Sequence, residues 1–400
     1  MQPTSPLPEP GQDALRHSQA LSELIQREII AASGWISFEH YMRLALYAPG
    51  LGYYSGGATK FGQAGDFVTA PEMSPLFGRV LAQQAAQILE LTGSDAGDIL
   101  EFGAGSGKLA LDLLLELEKL GSLPNRYFIL EVSGDLQQRQ RELFERCAPK
   151  LSERVAWLER LPEKFEGLML ANEVLDAMPV HLVVWRGANL FERGVTFENN
   201  EFNWSERPLT HADGALFAAA LELPVHPGSG TGSADEEYIS EINLSARHFI
   251  HSLGNILQAG VILLIDYGFG EREYYHPQRN SGTLMCHYRH RVHDNPFYLP
   301  GLQDVTSHVD FSAIARVGLD SGLDLLGYAT QAHFLINCGI TELLGQTPVE
   351  NVKDYLPLAN QLQKLVSPAE MGELFKAVAF GKNIRESLIG FSQGDRRHML

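Results

Sequence analysis

Ile99-Leu100-Glu101-Phe102-Gly103-Ala104-Gly105-Ser106-Gly107-Lys108 decides how the rest of this chain is read. Ile99 to Phe102 has the apolar character of a buried strand and carries one acid. Three glycines then stand at alternate positions, and Leu109-Ala110-Leu111-Asp112-Leu113-Leu114-Leu115 follows as a helical run. Strand, tight glycine turn and helix start, in that order, mark where α/β proteins hold a nucleotide-like ligand. Glycine lets the backbone come close, and the helix N-terminus presents its N–H groups. The spacing also separates ligands. A dinucleotide turn takes glycines at its first, third and sixth positions, and the sixth position from Gly103 is Lys108.

Outward from this stretch the pattern alternates. The sequence predicts a strand at Ile99–Phe102, a helix at Lys108–Leu120, a strand at Tyr127–Val132, a helix at Leu136–Cys147, and strands at Val155–Leu158 and Leu168–Ala171. Near-continuous apolar strands in the order βαβαββ imply a parallel sheet buried on both faces. His181–Trp185, Leu190–Thr196 and Glu201–Trp204 read as an antiparallel meander of the kind inserted at a sheet edge. A long helix over Tyr238–Leu257 is expected to feed the strand Val261–Gly268. Beyond a loop-rich stretch, a helix near Phe311–Ser321 and strands near Leu323–Ala329 and Leu374–Phe380 complete the pattern. On the other side, residues 1–18 read as a disordered leader. Helical spacing covers Leu21–Ala32 and Phe38–Tyr47, with Ser37 as a cap, and Ser74-Pro75 opens a helix to about Leu91.

Composition bounds the function. Of 400 residues, 44% are hydrophobic, enough for a substantial core, and the net charge of −18 argues against a general nucleic-acid surface. The three cysteines, Cys147, Cys286 and Cys338, are far apart and form no metal-like pair, so they read as free thiols. Met1 to Gln19 is polar with four prolines, and no run has the length of a membrane span. These features lead to the expectation of a cytoplasmic chain with no membrane insertion. His287, His290 and His293 recur at every third position, but with no obvious carboxylate partner apart from Asp294 they do not make a metal set, and no metal is expected.

In an open parallel sheet the ligand sits beyond the carboxyl ends of the strands, where Glu101–Gly107, Glu131 and Asn172–Asp176 would converge. The alternate glycines, with an acid two residues earlier, resemble the first motif of S-adenosylmethionine (SAM) dependent methyltransferases. Gly103, Ala104, Gly105 and Gly107 would cradle the ligand, with Glu101 beside them. Glu131, 24 residues after Gly107, is placed to accept bonds from both ribose hydroxyls. Asn172 opens the turn Asn172–Pro179, where Glu173 and Asp176 could face a cationic acceptor together. His308 and Asp310, two residues apart, could orient a nitrogen nucleophile and take its proton, or Asp310 could cap the helix from Phe311. Asp266 and Tyr267 end another strand and are further candidates for this chemistry.

Leu44–Tyr54, Gly65–Gly78, Glu101–Gly107, Asn172–Pro179, Asp266–Phe269, Gly282–Tyr288 and Asp304–Phe311 together resemble the MidA-like family. This group of class I SAM-dependent methyltransferases includes the mitochondrial complex I assembly arginine methyltransferase. The stretches GDFVTAPEMSPLFG and NEVLDAMPV, placed in this order around the glycine turn, make the resemblance specific, and it spans roughly residues 20–385. The resemblance implies an α/β fold: a Rossmann-like class I SAM-dependent methyltransferase with a helical N-terminal segment and inserted substrate-binding elements. The corresponding domains are a leader at 1–18, a helical cap at 19–97 contributing to the cofactor site, and a methyltransferase domain at 98–390 with insertions at about 180–235 and 270–310. It also places Gly65, Asp66, Thr69 and Glu72 beside S-adenosyl-L-methionine. The implied acceptor is an arginine of a partner protein such as a respiratory complex I core subunit, and a homodimer is allowed. An arginine suits Glu173 and Asp176, because a guanidinium is always charged and pairs bidentately with a carboxylate.

Two other readings stay open at this level. One is a SAM-binding assembly factor or chaperone without catalysis, against which the intact glycines count. The other is a nicotinamide oxidoreductase, against which Lys108 counts.

Overall fold

In the computed structural model, residues 7–56, 69–93, 97–224 and 237–400 are described. The chain divides into two compact units that are interleaved in sequence. One comprises Met1–Phe67, Asp176–Arg247 and Glu271–His308, and the other Val68–Leu175, His248–Gly270 and Val309–Leu400. This differs from successive stretches at 19–97 and 98–390.

The second unit holds the alternating region. Its strands are β1 (Asp98–Phe102), β2 (Tyr127–Leu130), β3 (Val155–Leu158), β4 (Phe165–Asn172), β5 (Leu257–Phe269), β6 (Asp324–Thr330) and β7 (Phe375–Lys382). They lie side by side in the order β6-β7-β5-β4-β1-β2-β3. Strands β1 to β5 pair in parallel, and β7 runs antiparallel to both β5 and β6. Strand order proceeds one way from β1 and the other way from β4, so the switch point, and with it the ligand crevice, lies at the carboxyl ends of these two strands. Leu168 to Ala171 and Val261 to Ile265 are all buried, which explains why β4 and β5 read as unbroken apolar runs. Helices Pro75–Leu91 and Lys108–Leu120 contribute Phe77, Leu81, Ala85, Leu113 and Leu117 to the same core. Ser74 accepts the Leu76 N–H at 3.2 Å, and Pro75 occupies the first helical turn, as the Ser-Pro signal predicts.

The first unit has its own core, with Leu21, Ile25, Phe38, Tyr41, Leu46, Val180, Val195, Cys286 and Val305 among its members. A five-stranded sheet runs in the order Ile36–Ser37, Asn189–Glu198, His181–Arg186, Glu237–Ile242, with Glu201–Pro208 also paired to Asn189–Glu198. The meander is therefore part of a separate sheet and not an edge of the parallel one. Tyr238–Leu257 is not one helix. Glu237–Ile242 pairs with His181–Arg186, setting Tyr238 opposite Trp185, and Asn243 then accepts the Ala246 N–H at 2.8 Å to start the helix Leu244–Ile256. Cross-strand pairing outweighs the helical spacing here. Another helix begins at Gln12 and runs to Ala31 with Ser18, Leu21, Ile25 and Ile29 as its buried stripe, so it takes in part of the expected leader.

Candidate active site

The glycine turn after β1 takes the conformation that its residues require. Gly103, Gly105 and Gly107 have φ of +62°, +55° and +84°, the left-handed region that side chains disfavour. A Cβ on Gly103 would also stand 3.2 Å from the Val174 side chain, and one on Gly107 3.1 Å from Gln140. Gly103 is exposed between the buried Phe102 and Ala104, so the loop presents backbone at the crevice. Gly107 caps the helix from Lys108, and the Ser106 hydroxyl donates to Glu72.

Two carboxylates flank this turn. Glu101 is 2% exposed and accepts the Tyr127 hydroxyl at 2.7 Å. Burial pushes its pKa up to about 7; the tyrosine bond opposes this, and the charge of Glu131 adds to it. Glu116, also buried, goes the other way. Burial raises its pKa too, but Arg79 and Lys119, each 2.9 Å away, more than offset that and hold it low. A neutral hydroxyl does not balance desolvation of a carboxylate, whereas two cations do. Glu131 closes β2. Its Oε1 accepts the Ser133 N–H at 3.0 Å, and the Gln140 amide lies 3.5 Å from its Oε2.

Gln140 is a residue that sequence reasoning missed. It is fully buried, donates to the Gly105 carbonyl at 2.9 Å and accepts the Trp157 indole N–H at 2.7 Å. One amide thus ties the glycine turn, Glu131 and β3 together. Val132, directly after Glu131, is 68% exposed, an apolar surface at the strand end. The sequence held no sign of either role, because both depend on where the helix and strand ends pack.

At the end of β4, Asn172 donates from Nδ2 to the Glu173 carboxylate at 3.1 Å, and its buried Oδ1 takes no hydrogen bond among the described residues. Glu173 has φ +52°, a costly conformation for a residue with a Cβ, which persists because its surroundings fix it. Those surroundings are β5. The Glu173 N–H donates to the Ile265 carbonyl at 2.9 Å, and the Asp266 carboxylate accepts the N–H groups of Val174 and Leu175 at 3.2 and 2.9 Å. Asp266, also bonded to the Tyr267 N–H at 2.9 Å, is an anchor for this turn.

The remaining sequence candidates fall in different places. Gly65 and Asp66 lie outside the described residues. Thr69 precedes the short helix Ala70–Met73, which carries Glu72. Asp176 and His308 belong to the first unit and Glu173 and Asp310 to the second. Asp176 is buried, and its carbonyl accepts the Ser307 N–H at 3.0 Å. Of its two readings, Asp310 follows at least the cap. Its carboxylate accepts the Ala313 N–H at 3.0 Å, capping the helix Phe311–Asp320. His287 sits opposite Val292, and His293 opposite Cys286, in an antiparallel pair, so these two imidazoles leave opposite faces.

A model of the S-adenosyl-L-methionine-dependent methyltransferase family matches residues 80–329, across the whole crevice. The chain belongs to this family. A crystal structure from Burkholderia thailandensis, bound to S-adenosyl-homocysteine, is 48% identical, with a TM-score of 0.91 over 99% of this chain and 100% of that one. The native structure from the same organism superposes with a TM-score of 0.90. The mitochondrial protein arginine methyltransferase NDUFAF7 of Danio rerio is 29% identical over 87% of this chain and 83% of its own length. The Drosophila melanogaster homologue is 26% identical over 98% and 93%.

This methyltransferase therefore uses S-adenosyl-L-methionine, and the crevice fits it: exposed backbone at Gly103, the carboxylate of Glu131 at a strand end, and a buried Asn172 amide oxygen that takes no hydrogen bond among the described residues. The nicotinamide reading falls. The mitochondrial relatives also overturn the expectation of a cytoplasmic chain; free thiols and a polar N-terminus do not single out that compartment. Among the described residues no helix is long and apolar enough to cross a membrane.

Proposed function

We infer that this methyltransferase modifies an arginine side chain of a partner protein, with a respiratory complex I subunit as the first acceptor to try. The observation that carries the reading is Glu173: a carboxylate at the carboxyl end of β4, held in a left-handed conformation by β5 and braced by the Asn172 amide. A guanidinium matches such a group in charge and geometry. The naming of the relatives as arginine methyltransferases supports the same acceptor.

When bound, the cofactor supplies a methyl group activated on a sulfonium. The protein supplies alignment, which is what a displacement of this kind needs most. Backbone at Gly103, Ala104, Gly105 and Gly107 would lie along the cofactor, with Glu131 on its ribose and Glu101, Asn172, Thr69 and Glu72 nearby. Asp66 is assigned there by family resemblance alone. Glu173 would hold the acceptor nitrogen in line and receive the proton it loses. Asp176 and His308 are proposed as acceptor-recognition residues of their own unit, and Asp310 as a helix cap.

The test is methyl-labelled cofactor with lysate from cells lacking this protein, comparing wild type with Glu173→Gln. Transfer should fall roughly 100-fold, in line with the loss of a positioned base, while S-adenosyl-homocysteine affinity stays within about threefold. Unchanged transfer would remove Glu173 from the reaction. Cofactor binding with no transfer by wild type would point to a non-catalytic assembly factor.

A further inference from the structure

Glu241, in the strand Glu237–Ile242, is 2% exposed and has no part in the chemistry above. Its carboxylate collects donors from a distant loop. Oε1 accepts the N–H groups of Thr283 and Leu284 at 2.8 and 3.0 Å, and Oε2 accepts the Thr283 hydroxyl at 3.0 Å. The Tyr274 hydroxyl lies 3.2 Å from Oε2. Gly282 has φ +79°, and a Cβ there would stand 2.3 Å from Oε1, so this loop closes over the carboxylate only with glycine. Burial raises the Glu241 pKa, and the bonds from Thr283 and Leu284 work against that rise. A buried carboxylate is costly to keep when an apolar side chain could fill the space, so its bonds call for an explanation.

These bonds continue beyond Glu241. Thr283 gives its hydroxyl proton to the carboxylate, which turns its lone pairs outward, and there Oγ1 accepts the His308 N–H at 3.0 Å. The Tyr274 hydroxyl is also 3.2 Å from the His308 carbonyl. Thr283 thus holds the His308 N–H, and the single Tyr274 proton is shared between the His308 carbonyl and Glu241 at equal distance. One residue earlier, the Ser307 N–H donates to the Asp176 carbonyl. The segment fixed by Glu241 carries His308 and fastens Asp176.

We propose that Glu241 is a positioning residue for methyl transfer, acting through Thr283 and Tyr274 to hold the backbone of His308 and, through Ser307, that of Asp176. This rests on the acceptor roles proposed for His308 and Asp176. The carboxylate matters because its Oε2 accepts the Thr283 hydroxyl and so sets that hydroxyl's direction. A glutamine amide can present N–H groups to the loop instead and reverse that hydroxyl, leaving the His308 N–H facing a proton.

The experiment uses the full-length chain as wild type, Glu241→Gln, Thr283→Val and Thr283→Ser, each checked for folding by its thermal melt. Calorimetric titration with S-adenosyl-homocysteine gives cofactor affinity, and labelled cofactor with lysate from cells lacking this protein gives the initial transfer rate. Glu241→Gln and Thr283→Val should lose roughly 10- to 100-fold in rate, the scale of sub-ångström misplacement, with affinity unchanged within about threefold. Thr283→Ser, which keeps the hydroxyl, should stay within about threefold of wild type. Hydrogen exchange of the Asp304–Asp310 segment should quicken in Thr283→Val and not in Thr283→Ser. Wild-type rates in Glu241→Gln and Thr283→Val overturn the proposal while leaving the activity intact. Equal losses in the Ser and Val variants overturn it as well, since the hydroxyl would then be irrelevant. If Glu241→Gln does not fold, the Thr283 pair decides alone. A wild type that transfers no label sinks the acceptor reading itself, and the proposal with it.

Discussion

Glu131 and Glu241 are both carboxylates more than nine-tenths buried, and both accept backbone N–H groups, yet they are built for different work. Glu131 stands at a strand end with one 3.0 Å bond from Ser133 and a 3.5 Å approach from Gln140, beside exposed glycine backbone. Glu241 is closed in by contacts of 2.8 to 3.2 Å from three residues of other segments. The proposed work of the first is to receive the cofactor's ribose, and that of the second is to hold chain in place. Burial alone therefore does not mark a binding carboxylate; which segments supply its partners matters as well.

The contrast can be broken most sharply at the glycine turn. Gly103→Val would force a branched side chain into φ +62° and against Val174, and should cut S-adenosyl-homocysteine affinity by at least about 100-fold in a calorimetric titration. Affinity within a few-fold of wild type would mean that the cofactor is held elsewhere. Glu131→Ala would remove the acceptor proposed for two ribose hydroxyl groups and should cost roughly 10- to 100-fold by the same measurement, at about 1.5 to 3 kcal/mol for bonds to a charged group. Gln140→Leu keeps the volume but releases the turn, Glu131 and Trp157 together. A loss of about 5- to 10-fold is expected, and no loss would reduce Gln140 to core packing.

The smallest effect concerns Glu101. Its folded pKa, about 7, lies above the usual carboxylate value, so the folded state holds a proton that the unfolded chain releases. The associated stability is present below the unfolded pKa and is lost as pH rises through about 7. Glu101→Gln can still accept the Tyr127 hydroxyl but has no charge to bury. Melting curves from pH 5 to 8 should show wild type declining by a few degrees relative to the variant. Parallel curves would contradict the shift.

The sequence was informative where the chemistry is local. The glycine turn, β1 and the helix Lys108–Leu120 are contiguous, and the burial of β4 and β5 on both faces leaves apolar runs that can be read directly. Asn172–Pro179 was recognisable as a site, but the left-handed Glu173 was not, because it is imposed by Ile265 and Asp266 on β5. Asp310 had two readings, and its bond to the Ala313 N–H shows the cap. Tyr238–Ile242 carried helical spacing, yet pairing with His181–Arg186 made it a strand. Glu241, Thr283 and Tyr274 gain meaning only once distant segments meet, which no local pattern encodes.

The central claim is that this methyltransferase places its methyl group on protein arginine. The direct measurement is acid hydrolysis and amino-acid analysis of lysate protein after incubation with methyl-labelled cofactor, using cells that lack the chain. Label recovered as methylated arginine, and absent when Glu173→Gln replaces wild type, is the predicted result. Label confined to lysine or to small molecules would contradict it.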